Sequence, residues 1–158
     1  EYVTAIYTPH NRFVMPQYVD KPDVYFIKEN VSHHEYLMQK YVHSLDILNV
    51  PKVVSYNKNT SRLVMAKVRG MNVSDTFGEK VDDVPNTVYD KLVDIMKILV
   101  LHNICYPDFT GYNFIIDEND HDKIWIIDFE HSYYKNDIDD PCIAEVIDGT
   151  KMWNPDFI

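Results

Sequence analysis

The chain has 158 residues, 46% of them hydrophobic, with a formal net charge of −10 and a sequence pI of about 5.0. That is enough apolar material for one ordinary core or two small lobes, and it excludes an intrinsically disordered chain. The acidity also argues against a nucleic-acid partner, because such proteins gather Lys and Arg on one basic face.

No run reaches the ~20 apolar residues of a membrane span, and no cationic start precedes an apolar stretch. A cytoplasmic protein with no membrane partner is therefore expected. The bias toward Asn, Lys, Ile, Asp and Tyr suits an AT-rich genome, such as that of a phage or large virus, in which case the compartment is the host cytoplasm. Cys105 and Cys142 have neither disulfide-framework nor zinc spacing, so buried free thiols are expected.

In chain order, "EYVTAIYT", "RFVMPQYV" and "DVYFIKE" are β-branched and aromatic runs separated by "PHN" and "DKP", which predicts a three-stranded meander. A helix follows behind Ser32 as N-cap, with Leu37, Tyr41, Leu45 and Leu48 as its apolar stripe and Pro51 as its stop. "PKVVSYN" and "SRLVMAKVRG" predict a hairpin turning on "NKNT" and ending at Gly70. The polar stretch 71–87 is connector or short-helix material, which places a lobe boundary near Gly70.

"VYDKLVDIMKILVLH" carries Val88, Leu92, Ile95, Met96, Leu99 and Val100 on one stripe and predicts a buried amphipathic helix. A loop, a strand over 113–117, an acidic turn and a strand over 123–129 come next. The tail from Tyr133 onward has weak periodicity and supports no assignment. His33 and His34 are adjacent, hence on different helix faces, and do not form a metal pair.

Phosphoryl transfer needs a carboxylate near the acceptor hydroxyl, hard oxygen ligands for magnesium, and a cation on the nucleotide phosphates. Asp108 is the candidate acceptor-side carboxylate. Asn113 and Asp128 are the candidate metal ligands, Lys28 the phosphate lysine, and Glu35 the partner that holds it. Each has a plainer reading beside it. Asp108 and Asn113 are ordinary turn residues around Gly111, and Lys28 ends a strand where solvated lysines are common. Glu35 stands three residues after Ser32, the spacing of a capping box. The acidic turn "DENDHD" reads as a solvated hairpin tip.

With "DFTGYN" over 108–113 and "IDFE" over 127–130, the chain resembles the protein kinase superfamily across residues 3 to 132. The details are similar to its stripped-down branches: RIO kinases, the small kinase of the KEOPS complex, lipopolysaccharide kinases and the aminoglycoside or choline phosphotransferases. The resemblance implies an α+β bilobal fold, with an N-lobe over 1–70 and a reduced C-lobe over 71–158. "LNVPKVVSY" and "LVMAKVRG" resemble the strands leading to the hinge. This implies Met65 as gatekeeper and adenine contacts by backbone from Ala66 to Val68.

ATP and Mg2+ are the implied cofactors, with transfer to a hydroxyl, protein Ser/Thr first among acceptors, and a protein or small molecule as the unidentified acceptor partner. Three departures stand out. There is no glycine before Gly70, so "YTPHNRF" must cover the nucleotide without a glycine-rich loop. Tyr106 occupies the family's histidine position. Only 30 residues follow Asp128, too few for the usual acceptor platform. A pseudokinase that binds without turnover, and an unrelated α+β interaction domain, are the competing expectations.

Overall fold

The computed structural model describes residues 21–158. The first two expected strands and the "YTPHNRF" turn lie outside the described residues. The third run forms β1 (Tyr25–Lys28), which pairs antiparallel with β3 (Arg62–Ala66), itself paired with β2 (Val53–Asn57). The β2–β3 hairpin turns as its sequence dictates. Asn57 Oδ1 accepts from the Asn59 and Thr60 N–H groups, an Asx turn that replaces backbone pairing at the tip.

Between β1 and β2 lies helix α1 (His33–Ser44), capped by Ser32, whose hydroxyl accepts from the Glu35 N–H at 3.0 Å. The expected apolar stripe of this helix is wrong. Leu37 and Tyr41 are exposed, and the inward face is Glu35, Met38, Gln39 and Val42. The helix turns the face that carries Glu35 toward the sheet, and a single buried carboxylate with a lysine partner overrides the hydrophobic periodicity. Pro51 is not its stop either. The helix ends at Ser44, Asp46 takes a left-handed φ of 54°, and Leu45 and Leu48 pack on the main core from the loop.

The hairpin ends at Ala66, not Gly70. Gly70 instead opens β4 (Gly70–Asn72), which pairs with β6 (Phe114–Asp117), and β6 pairs with β7 (Ile124–Ile126) in a second three-stranded sheet. Only glycine fits there, because φ is 150° and a Cβ would lie 1.9 Å from the Ile116 carbonyl oxygen. The polar stretch that follows forms the short helix α2 (Val73–Phe77) and a 3-10 turn. Helix α3 (Asn86–Leu101) buries Tyr89, Leu92, Val93, Ile95, Met96 and Leu99, while Val88 and Val100 flank that face.

The expected strand over 123–129 stops at Ile126, because Asp128 adopts a left-handed φ of 65° that takes its carboxylate out of the ladder. The tail is ordered into short pieces: β8 (Tyr133–Tyr134) pairs with β5 (Ile104–Cys105), and α4 (Pro141–Ile147) is capped by Asp140. Elements this short carry too few repeats for periodicity to register. Cys105 and Cys142 are buried free thiols. Among the described residues no helix is long and apolar enough to cross a membrane.

Candidate nucleotide and phosphoryl-transfer site

Lys28 ends β1 pointing at α1, and its ammonium sits 2.5 Å from Glu35 Oε2 and 3.4 Å from Asp128 Oδ1. Segments a hundred residues apart thus meet on one cation. The capping-box alternative for Glu35 is half present: Ser32 caps the Glu35 N–H, but the carboxylate goes to Lys28. Burial disfavours the charge on Lys28, yet Glu35 and Asp128 outweigh it and hold the ammonium above the ordinary lysine value. Burial pushes the Glu35 carboxyl up, against the pull of Lys28.

From this ion pair a cleft of about 400 Å³ runs along the first sheet, lined among others by Gln39, Met65, Ala66, Val68, Ile115 and Ile127, with Lys28 and Asp128 at the ion-pair end and Lys67 also on its wall. It is an apolar slot with a charged end. Gln39, not foreseen in the sequence, forms part of the wall and donates to the Pro51 carbonyl at 2.9 Å and to Met65 Sδ at 3.5 Å. The Ala66 and Lys67 N–H groups are spent on Lys52 and Val24 carbonyls, whereas the Val68 N–H has no partner among the described residues. A second cleft of about 410 Å³, between Asp46–Asn49, Lys91 and Asp122, contains none of the site residues.

Asp108 lies in the buried loop after β5. Its carbonyl accepts from Asn113 Nδ2 at 2.8 Å and from the Thr110 N–H, which closes a tight turn and leaves the Asn113 amide oxygen available. The Ile127 N–H donates to the Asn113 carbonyl at 3.0 Å, so Asn113 is held against the residue that precedes Asp128. Tyr106 completes the brace: fully buried, it donates its hydroxyl to the Ile127 carbonyl in a short hydrogen bond. Burial pushes its phenol well above the ordinary value and keeps it a neutral donor. Tyr106 thereby ties the loop to the residue that precedes Asp128.

His131 was not foreseen, since three residues beyond Asp128 is no recognised spacing. Its Nδ1 lies 3.2 Å from Asp108 Oδ2, and its ring packs on Phe157 at 4.9 Å. Burial pushes the Asp108 carboxyl up and His131 pulls it down, with the net direction upward. Glu130 is the other addition, because oxygens of Glu35, Asp128 and Glu130 lie within 4.8 Å of one another. Glu35 is committed to Lys28 and Asp128 Oδ1 also faces that ammonium at 3.4 Å, so the oxygens of this group with free capacity are those of Glu130 and the second oxygen of Asp128. This chemistry suits magnesium or a similar hard divalent cation. His33 and His34 do not meet on one ligand: His33 joins a ring cluster with Tyr36 and Tyr56, and His34 Nε2 contacts the Ser132 carbonyl. The acidic tip is a solvated turn, organised by Asp117 and paired outward through Lys91 and Asp122.

The family model of the RIO domain matches residues 16–139. A curated relative, the BUD32 subunit of the EKC/KEOPS complex from Enterocytozoon bieneusi, is 33% identical over 108 residues, covering 60% of this chain and 50% of that protein. The chain thus spans half the length of that relative. Among solved structures, the kinase PK-1 of Cydia pomonella granulovirus matches with a TM-score of 0.52 at 20% identity, over 70% of this chain and 43% of its own. The Rio2 kinase of Chaetomium thermophilum, in complex with ADP, Mg2+ and a phosphoaspartate, matches with a TM-score of 0.52 at 21% identity, over 73% and 34%. The α+β architecture is thus a reduced form of the protein-kinase-like fold, and the chain belongs to the RIO-domain family of atypical protein-kinase-like proteins.

Proposed function

We propose that the chain is an ATP- and magnesium-dependent phosphotransferase that passes the γ-phosphoryl group to a hydroxyl, with protein Ser/Thr as the acceptor class. The observation that carries this reading is Lys28 between Glu35 and Asp128 at the charged end of an apolar cleft. The RIO-domain match and the likeness to the BUD32 subunit and to the Rio2 kinase support it. In this reading 1–70 and 71–158 are the two lobes, and adenine lies against Met65 and Ala66 with the Val68 N–H as its donor. Lys28 neutralises phosphate charge, and Glu35 fixes the lysine's position.

Asp128 and Asn113, with Glu130 alongside, would hold magnesium, which would supply charge neutralisation. Asp108 accepts the proton of the acceptor hydroxyl as that oxygen bonds to phosphorus and the bond to the ADP oxygen breaks. Its raised carboxyl is suited to this task, since a base works best when its pKa approaches the working pH. Positioning and charge account for most of this chemistry, so few groups suffice.

A pseudokinase is the second reading. It is favoured by the absence of glycine before Gly70. Calorimetry separates them: ATP should bind wild type more tightly with magnesium than with EDTA, and Asp128→Ala should lose most of that difference. Metal-indifferent binding with no transfer from labelled ATP would leave a binding module.

A further inference from the structure

The loop that carries Asp108 is buried from Tyr106 to Gly111 but belongs to no strand or regular helix until the turn at Gly111–Asn113. Its carbonyls therefore need partners from outside the loop. Two of them find the same residue. Asn154 Nδ2 donates to the Pro107 carbonyl at 2.7 Å, and the Asn154 N–H donates to the Phe109 carbonyl at 2.9 Å. These are the carbonyls immediately before and after Asp108. Asn154 is 1% exposed, and its own Oδ1 accepts from the Asp156 N–H at 3.1 Å, so its donor and acceptor ends are assigned.

The segment that brings Asn154 there is itself anchored. Tyr89 on α3 accepts from the Met152 N–H at 3.0 Å, and the Trp153 indole donates to the Glu79 carbonyl at 3.1 Å. The Trp153 ring meets Phe109 at 5.4 Å, edge to face. Four residues after Trp153, Phe157 packs on His131, the side chain that touches the Asp108 carboxylate. The segment thus approaches Asp108 twice, from its backbone and from its carboxylate. None of it lies within residues 16–139, where the family model matches.

We infer that Asn154 is a positioning residue of the phosphoryl-transfer site, clamping the backbone on both sides of Asp108 so that the carboxylate faces the acceptor hydroxyl. The inference rests on the functional reading above. A clamp at this place acts on geometry alone, and a carboxylate displaced by about 1 Å loses on the order of a hundredfold in rate. Nucleotide binding is expected to be indifferent to it, since Asn154 lines no part of the cleft.

Asn154→Asp is the discriminating variant. It keeps the size and the oxygen that caps Asp156, but it replaces the amide donor with an oxygen facing the Pro107 carbonyl. Asn154→Ser, which keeps the backbone donor and cannot reach Pro107, serves if the aspartate variant fails to fold. Three quantities decide: kcat with labelled ATP, ATP affinity by calorimetry, and hydrogen exchange of the 108–111 amides against those of α3. We expect kcat to fall about a hundredfold, ATP affinity to hold, and the loop amides to exchange faster while α3 is unchanged. Unchanged kcat, or loop exchange equal to wild type, overturns the inference. So does exchange that rises equally in the loop and α3, which would mark Asn154 as a general stabiliser. Should wild type itself transfer no phosphate, the functional reading fails, and the exchange data alone decide for or against Asn154 as the anchor of this loop.

Discussion

The two halves of the site are held by different forces. On the first sheet the apolar clusters are small: Tyr25 with Val64, and Val31 with Leu63 and Met65. The functional pair Lys28 and Glu35 is secured there by one ion pair. The Asp108 loop instead sits in the main core, where Tyr106, Phe109, Phe114, Phe129 and Trp153 form a chain of edge-to-face rings. The lysine can change partners, from Asp128 to a phosphate, at little cost in packing. The backbone of Asp108 is flanked by Tyr106 and Phe109 of that core, so under the proposed function nucleotide capture is the adjustable half and the acceptor side the rigid one.

The hardest test of that contrast is Phe109→Ala, which should destabilise the protein by about 3–5 kcal/mol, the usual cost of emptying a buried phenylalanine site. Denaturant unfolding measures it, and a loss near zero would mean that the loop is not built into the core. Lys28→Ala should cost less stability than that, because the Lys28 side chain is 30% exposed at the end of its strand and belongs to no apolar cluster. Its effect belongs to binding: ATP affinity should fall about tenfold or more, roughly 1.4 kcal/mol. Titration calorimetry on the folded variant checks this, and an unchanged affinity would remove Lys28 from the site.

The smallest expected effect has the opposite sign. Burial raises the Asp108 carboxyl, so between its ordinary and raised values the folded protein keeps a proton that the unfolded chain has released. Stability therefore falls as pH rises through that window. Asp108→Asn removes this penalty and should be slightly more stable than wild type above the window, with the gain vanishing as pH drops below the ordinary carboxylate range. Thermal unfolding across pH detects it. A gain that persists at low pH would assign the effect to packing, not charge.

Much of this was legible in local sequence. Ser32 as cap, the "NKNT" turn, the helix before the loop and the order of Asp108, Asn113 and Asp128 are patterns written in near neighbours, where turn chemistry and short-range periodicity act. The stripe on α1 misled, because Leu37 and Tyr41 satisfy the helical period as well as Met38 and Val42 do. Periodicity shows that a helix has an apolar face, but which face turns inward depends on what lies opposite. Here that is the ammonium of Lys28.

By itself the sequence determined the two long helices, the β2–β3 hairpin and the candidate chemistry, because carboxylate, amide and lysine at motif spacing constrain what each residue type can do. The tertiary structure alone decided how these groups are held. Gln39 behind Met65, Tyr106 on the Ile127 carbonyl, His131 on Asp108 and Asn154 across the loop are contacts between residues 21 to 47 apart. No local pattern encodes such pairs, since each partner satisfies hydrogen bonds that exist only once the chain has buried them.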